Sequence, residues 1–363
     1  MRQRIWEFVI REWLLTGAVI TLATTTLYLE RVPEYSWPAL RPVFLLWILF
    51  VIIKGVENSR LLCHIARQME SGAFLAPRMI TLSFILSMFL TIDVSLVTLL
   101  PLLLKMRISH KVPLAILVAL TAHAGAALTP FGTPQNLFIF SWYGVETLEF
   151  LRVMTPFSFG LFVLYLLASL PLAAESTREA TAPAPRSLRR VPAFVYGLFF
   201  ILGVGAVLGL VPLATAATVL LYAYTVDPDS LRVDYALLAT FVIFVGLTGN
   251  IRDIIDGSLS RIEHTYYLAA GLSQLISNVP TALILERFTE HWRSLLWGTN
   301  AGGYGTLVAA LANLITYKLF VTYGNSKDLK RFTLGFLAAG FLSLLAATGL
   351  HWIFFDFIHY YPE

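Results

Sequence analysis

The chain has 363 residues, of which 57% are hydrophobic and only 13% charged, against roughly 45–50% apolar and about 25% charged in soluble domains. That balance excludes an ordinary soluble globule and indicates a polytopic membrane protein. A formal charge of +4, with the basic residues gathered in short loops, argues for topology setting rather than a nucleic-acid partner. The lone Cys63 excludes an intrachain disulfide and a cysteine-rich metal site, and no His/Glu spacing suggests zinc.

At about 20 apolar residues per crossing, the pattern predicts helices near 13–29, 42–56, 112–143, 151–173, 192–209, 210–226, 234–249, 294–323 and 331–357. No small-residue cleavage site follows the first, which reads as a retained span. Segments 79–105 and 265–289 differ, because each has a polar tip at its middle. Arms of about 12 residues reach about 18 Å, too short for a hydrocarbon core of about 30 Å. Both are expected to be re-entrant helical hairpins. The helices at 112–143 and 294–323 are each expected to be broken by a Gly/Pro-rich stretch. Unwound backbone in a bilayer survives only where it is buried in protein or lines a hydrated cavity.

The expected fold is an all-α polytopic membrane protein with two inverted-topology repeats, 1–173 and 192–363, each with a re-entrant hairpin and a broken transmembrane helix. A Pro- and Arg-containing cytoplasmic connector, 174–191, joins them. With the N-terminus in the cytoplasm and the C-terminus outside, most of the 26 Lys and Arg fall on the inner side. The first hairpin then opens from the cytoplasm and the second from outside, an order typical of transporters.

The first tip is Thr91, Ile92 and Asp93, and the first break is Thr129, Pro130, Phe131, Gly132, Thr133, Pro134, Gln135 and Asn136. Thr133 before Pro134 is a helix-start signature, a capping hydroxyl followed by a proline at the first helical position. The amides of such a half-helix, with its positive dipole end, attract carboxylates and oxyanions. The alternative is a bare proline kink. In the second half, Ser277 and Asn278 with Pro280 are expected to form another capped N-terminus, while Asn300, Gly302, Gly303 and Gly305 unwind the helix around Thr299. Glycines of this kind also serve close helix packing. Asp93 reads as the one carboxylate deep in the membrane, where a charge costs at least about 2.5–3.5 kcal/mol; its plainer reading is an N-cap. His123 is a potential partner for it, titrating near neutral pH, or simply a hydrogen-bonded cavity residue.

Residues 90–101, 127–136, 271–285 and 298–315 resemble the signature segments of the ion transporter superfamily, in particular its arsenite-permease and NhaD-like branch, which includes citrate-like permeases. The run Leu272, Ser273, Gln274, Leu275, Ile276, Ser277, Asn278, Val279, Pro280 is the most diagnostic. The resemblance implies a homodimer with scaffold helices at its interface and elevator-like movement of the hairpin-bearing part. It also implies substrate binding by Thr91, Thr133, Pro134, Gln135, Asn136, Ser277, Asn278, Thr299, Asn300 and Gly302, with a sodium ion near Asp93, Gly132, Asn278 and Asn300. Two departures stand out. Ile92 replaces an amide at the first tip, and His123 stands where relatives carry Asn, so that Asp93 with His123 is expected to handle a proton instead.

The leading expectation is a secondary transporter in a prokaryotic cytoplasmic membrane, moving a small anion coupled to H⁺ or Na⁺, with no other cofactor. A Na⁺/H⁺ antiporter and an arsenite or antimonite exporter are the alternatives on the same fold. A channel fits matched hairpins less well. An intramembrane enzyme fits poorly, since no facing carboxylate pair, zinc motif or serine elbow is present.

Overall fold

A computed structural model describes residues 12–68, 74–106, 108–172, 188–255 and 264–357. The basic residues 1–11 and most of the expected connector 174–191 lie outside them. Among the described residues the secondary structure is helical throughout, with no strand. Five helices among the described residues are long and apolar enough to cross a membrane by length and composition.

One group of helices comprises α1 (Trp13–Leu29), α2 (Trp37–Asn58), α9 (Arg190–Val207), α10 (Thr215–Thr225) and α11 (Tyr235–Ile255). Here α11 packs on α1 and α2, while α9 and α10 pack on the other side of α2. The span expected over 210–226 is a helix of 11 residues. The reason lies in the turn before it, where Gly209 adopts a φ of 71° and Pro212 lacks a backbone donor. A short helix outside the expected spans, α3 (Leu61–Gln68), follows α2.

The second group holds the interrupted elements. Helices α4 (Leu75–Phe89) and α5 (Ile92–Lys105) meet at Leu90 and Thr91, and the expected tip residues Ile92 and Asp93 already belong to the first turn of α5. Segment 112–143 is two helices, α6 (Lys111–Ala127) and α7 (Pro134–Tyr143), and α8 (Thr147–Ser169) completes the set. The later part of the chain follows the same order, with α12 (Thr265–Ile276), α13 (Asn278–Leu285), α14 (Trp292–Gly302), α15 (Leu311–Tyr323) and α16 (Leu329–His351). The second interruption, 303–310, lies further along than expected, since Thr299, Asn300 and Gly302 are all helical. The side chains of Thr299 and Asn300 bond back to Leu295 and Leu296 carbonyls, which keeps that turn wound.

Packing in the two sets corresponds. Helix α4 lies against α6, and α12 against α14. Both approaches depend on a glycine: a Cβ on Gly125 would overlap the Phe84 carbonyl and Ser87 Oγ, and one on Gly302 would overlap Ser273. The arms also cross, with α5 packing on α15 and α13 on α7.

Charged and aromatic side chains also join segments distant in sequence. Arg31 pairs with Asp253, Arg293 with Glu149 at 2.5 Å, and the Arg287 guanidinium stacks 3.8 Å from the Trp142 ring centroid. Lys105 lies 5.0 Å from the ring centroid of Tyr323, and Tyr196 donates to Asp227 at 2.9 Å. Each contact joins two segments that the charge pattern assigns to one membrane face.

Overpacking at the two glycine contacts costs about 1–3 kcal/mol. Gly125→Ala and Gly302→Ala are therefore expected to lower the melting midpoint. Gly271→Ala on α12, which meets nothing within 4 Å, leaves it unchanged or higher; a thermal-unfolding series on purified protein checks the contrast.

Candidate functional site

The two interruptions bring together backbone groups that no helix satisfies, in surroundings that are almost wholly apolar. A buried, unpaired carbonyl or amide costs about 1–3 kcal/mol, so partners must be supplied from elsewhere. In the first interruption Asn136 supplies them. Its Nδ2 donates to the carbonyls of Ala127 and Thr129 at 3.2 and 3.1 Å. In the second, Asn313 Nδ2 donates to Gly303 and Thr306 at 3.0 and 2.9 Å. Gln274 donates to the carbonyls of Gly302 and Tyr304 at 2.8 and 3.0 Å, and its Oε1 accepts from Thr306 N at 3.0 Å. Sequence reasoning missed Asn313 as a functional position. Its signal was its place three residues into the helix after a break, the place Asn136 holds.

Between these interruptions and the first helical group lies a cavity of about 50 Å³. Thr133, Pro134 and Gln135 from the start of α7, and Ser277 and Asn278 from the junction of α12 and α13, converge on it. Asp93, His123 and Asn300 contribute as well, while Leu14, Leu237 and Phe241 of α1 and α11 close it on the other side. Asp93 and His123 are the only ionisable residues among those lining it, and no Lys or Arg is present. A second cavity of about 260 Å³ adjoins the first, sharing Asp93, Leu237 and Leu311 with it, and reaches Lys54, Glu57, Arg232 and Asp234.

The expected caps are not made. Neither Thr133 nor Ser277 places its hydroxyl on the following turn. Thr133 Oγ1 is instead buried without a partner at the cavity. The Ser277 backbone supplies the physical reason on its side: φ is 74°, a left-handed value that is costly for a side-chain-bearing residue. It lets Asn278 N donate to the Ala309 carbonyl at 2.9 Å, so the second interruption uses that amide. Asp93 is not an N-cap either, because Thr91 holds that position in α5.

The other expected residues divide by what already holds them. Asn136 and Thr299 are buried and committed to protein carbonyls, and Gly302 packs against Ser273. Gly132 packs closely on the Ala126 carbonyl. Thr91 lines the larger cavity. His123 Nε2 lies 2.8 Å from Asn313 Oδ1, with its ring beside Tyr304. Among the described residues no group of three or more His, Cys, Asp or Glu stands close enough to hold a metal. A cation at the expected position would thus rely on Asp93 with the neutral oxygens of Asn278 and Asn300, which share the cavity with it.

A second carboxylate is buried as well: Glu286, where α13 stops after only eight residues, with Oε2 unpartnered. Tyr143 holds that end of the arm by donating to the Glu286 and Thr289 carbonyls at 3.1 and 2.7 Å.

Comparison with known proteins adds the context of relatives. The CitMHS family model, described as citrate transporter, matches residues 5–288. A Methanocaldococcus jannaschii protein described as uncharacterized transporter MJ0456 is 34% identical over 300 residues, covering 77% of this chain and 80% of the relative. The inner membrane protein YbiR of Escherichia coli K12 is 29% identical over 309 residues, covering 78% and 82%.

Gln274→Leu keeps the volume but leaves two carbonyls and one amide without partners. The expected outcome is a loss of at least about 2 kcal/mol of stability, read as a fall in the melting midpoint.

Proposed function

The chain belongs to the citrate transporter family and is a membrane transporter; on that premise we propose that it is a secondary active carrier of a small anion, a carboxylate or inorganic oxyanion, coupled to H⁺ or Na⁺. The observation that carries this reading is the cavity walled by both interruptions and lined by polar side chains. Thr133 Oγ1 has no protein partner there, and Thr133, Pro134 and Gln135 at the start of α7 line the same space. Such donors recognise an oxyanion without a basic side chain.

The size and charge of the cavity refine the solute. About 50 Å³ holds about three to five waters, enough for a solute of few heavy atoms. A citrate-sized ligand requires the cavity to merge with the larger one beside it. In the small cavity no Lys or Arg offsets a trianion, and in the larger one Lys54 and Arg232 stand with Glu57 and Asp234; Asp93 opposes any anion until a proton or sodium ion neutralises it. Loading of Asp93 therefore favours anion binding, which is coupling in thermodynamic terms.

The mode of movement is proposed as elevator-like. The cavity lies where the two helical groups meet, α2 against α7 and α11 against α13, so sliding of one group against the other would carry it between faces. Inverted repeats with re-entrant hairpins are supported by the matched order and packing of the two sets and by contacts that join segments expected on the same face. The excess of Lys and Arg on one side of that arrangement supports an N-terminus inside and a C-terminus outside. A homodimer through α1, α2 and α9–α11, in a prokaryotic cytoplasmic membrane, completes the proposal. The second reading is a Na⁺/H⁺ antiporter, favoured by a cavity with a carboxylate and no Lys or Arg.

Thermal unfolding against monocarboxylates, inorganic oxyanions, citrate, Na⁺ and Li⁺ across mildly acidic to mildly alkaline pH tests these readings. A ligand at a hundredfold its Kd adds about 2.7 kcal/mol. An oxyanion or monocarboxylate is expected to raise the midpoint, more so as pH falls or sodium is added. Asp93→Asn is expected to bind the anion with no dependence on either. In proteoliposomes, dissipation of a pH gradient by sodium alone, with no anion effect, would establish the antiporter instead.

A further inference from the structure

Asn136 and Asn313 are each the third residue of their helix, α7 and α15. Each turns its amide nitrogen back onto the preceding interruption at the same two intervals. Asn136 reaches Thr129 and Ala126, seven and ten residues back, at 3.1 and 3.4 Å. Asn313 reaches Thr306 and Gly303, again seven and ten back, at 2.9 and 3.0 Å. With the nitrogen committed, only Oδ1 remains, and in both cases a residue from the other half of the chain meets it. Asn300 Nδ2 donates to Asn136 Oδ1 at 2.7 Å, and His123 Nε2 lies 2.8 Å from Asn313 Oδ1. Because Oδ1 can only accept, His123 carries its hydrogen on Nε2 and donates.

His123 and Asn300 are thus counterparts. Each opens a three-residue run ending in the glycine that packs on the facing hairpin arm, His123, Ala124, Gly125 and Asn300, Ala301, Gly302. The ring and the amide are different chemically but present the same N–H donor to the same acceptor.

We infer that these four residues form two crossed clamps, in which each interruption is held by an asparagine of its own half and that asparagine is aimed by a residue of the other. His123 is then a positioning residue acting through Asn313. The two interruptions are set as one unit, so neither can rearrange without disturbing the wall contributed by the other. The clamps operate whichever solute the cavity carries.

The test uses a reporter that needs no substrate. In a Cys63→Ser background, Ala310→Cys puts a thiol at the buried end of the second interruption, and its labelling by N-ethylmaleimide is timed in detergent. His123→Ala and Asn313→Ala are each expected to speed labelling at least about tenfold, with the double variant no faster than the faster single, since partners in one interaction are non-additive. His123→Asn, which keeps an N–H donor, is expected to stay within about twofold of the parent. Additive effects, an unchanged His123→Ala rate, or His123→Asn as loose as His123→Ala would overturn the clamp. If Asn313→Ala does not survive purification, the other pair is read by the same criteria, with Thr133→Cys as reporter, Asn300→Ala as the break and Asn300→His as the rescue.

Discussion

Two stretches of backbone leave their helices in the middle of an apolar protein, and the fold stands only because side-chain amides take over the hydrogen bonds those stretches lose. Asn136, Asn313 and Gln274 together serve carbonyls at Ala127, Thr129, Gly302, Gly303, Tyr304 and Thr306. An amide suits this task because it offers two donors and an acceptor without a charge to desolvate. Once the backbone is held, the helix starts at Pro134 and Asn278 have fixed positions, and the cavity between them acquires its shape.

That arrangement separates two kinds of polar residue that look alike in the sequence. Asn136, Thr299 and Gln274 hold the frame and have little left to offer a solute. Thr133, Gln135, Ser277 and Asn278 face the cavity instead. The unmade cap at Thr133 is part of the same logic. A hydroxyl that satisfied its own helix would have no donor or acceptor left for the cavity wall, whereas the Thr133 hydroxyl makes no cap bond and keeps both.

Asp93 occupies the boundary between the small cavity and the larger one that reaches Lys54 and Arg232. A carboxylate in that position lines both spaces, with no Lys or Arg beside it in the smaller one. Leu237 and Leu311 form the rest of the boundary, and their apolar side chains keep the two spaces distinct.

Much of the architecture was legible in the chain. Apolar runs and their lengths gave the helical class, proline and glycine clusters located both interruptions to within a turn, and the pairing of tip and break drew attention to Asp93, Thr133 and Asn278. Three features escaped that reading for physical reasons. The second interruption moved because Thr299 and Asn300 bond back into their own helix, a choice that depends on which partners fold against them. Glu286 falls near the end of the second hairpin in the sequence, and its burial follows only from where α13 ends and how Tyr143 packs there. Asn313 carried only the signal of its place after a break, because its distant partner, His123, is brought to it by packing alone. By itself, then, the sequence determined that the backbone leaves the helix once in each half, since glycine and proline restrict local geometry wherever they stand. Only the tertiary structure decided which side chains repair that loss and which remain free for a solute, because hydrogen bonds between Asn300 and Asn136, or His123 and Asn313, exist only when residues 164 and 190 positions apart are brought together.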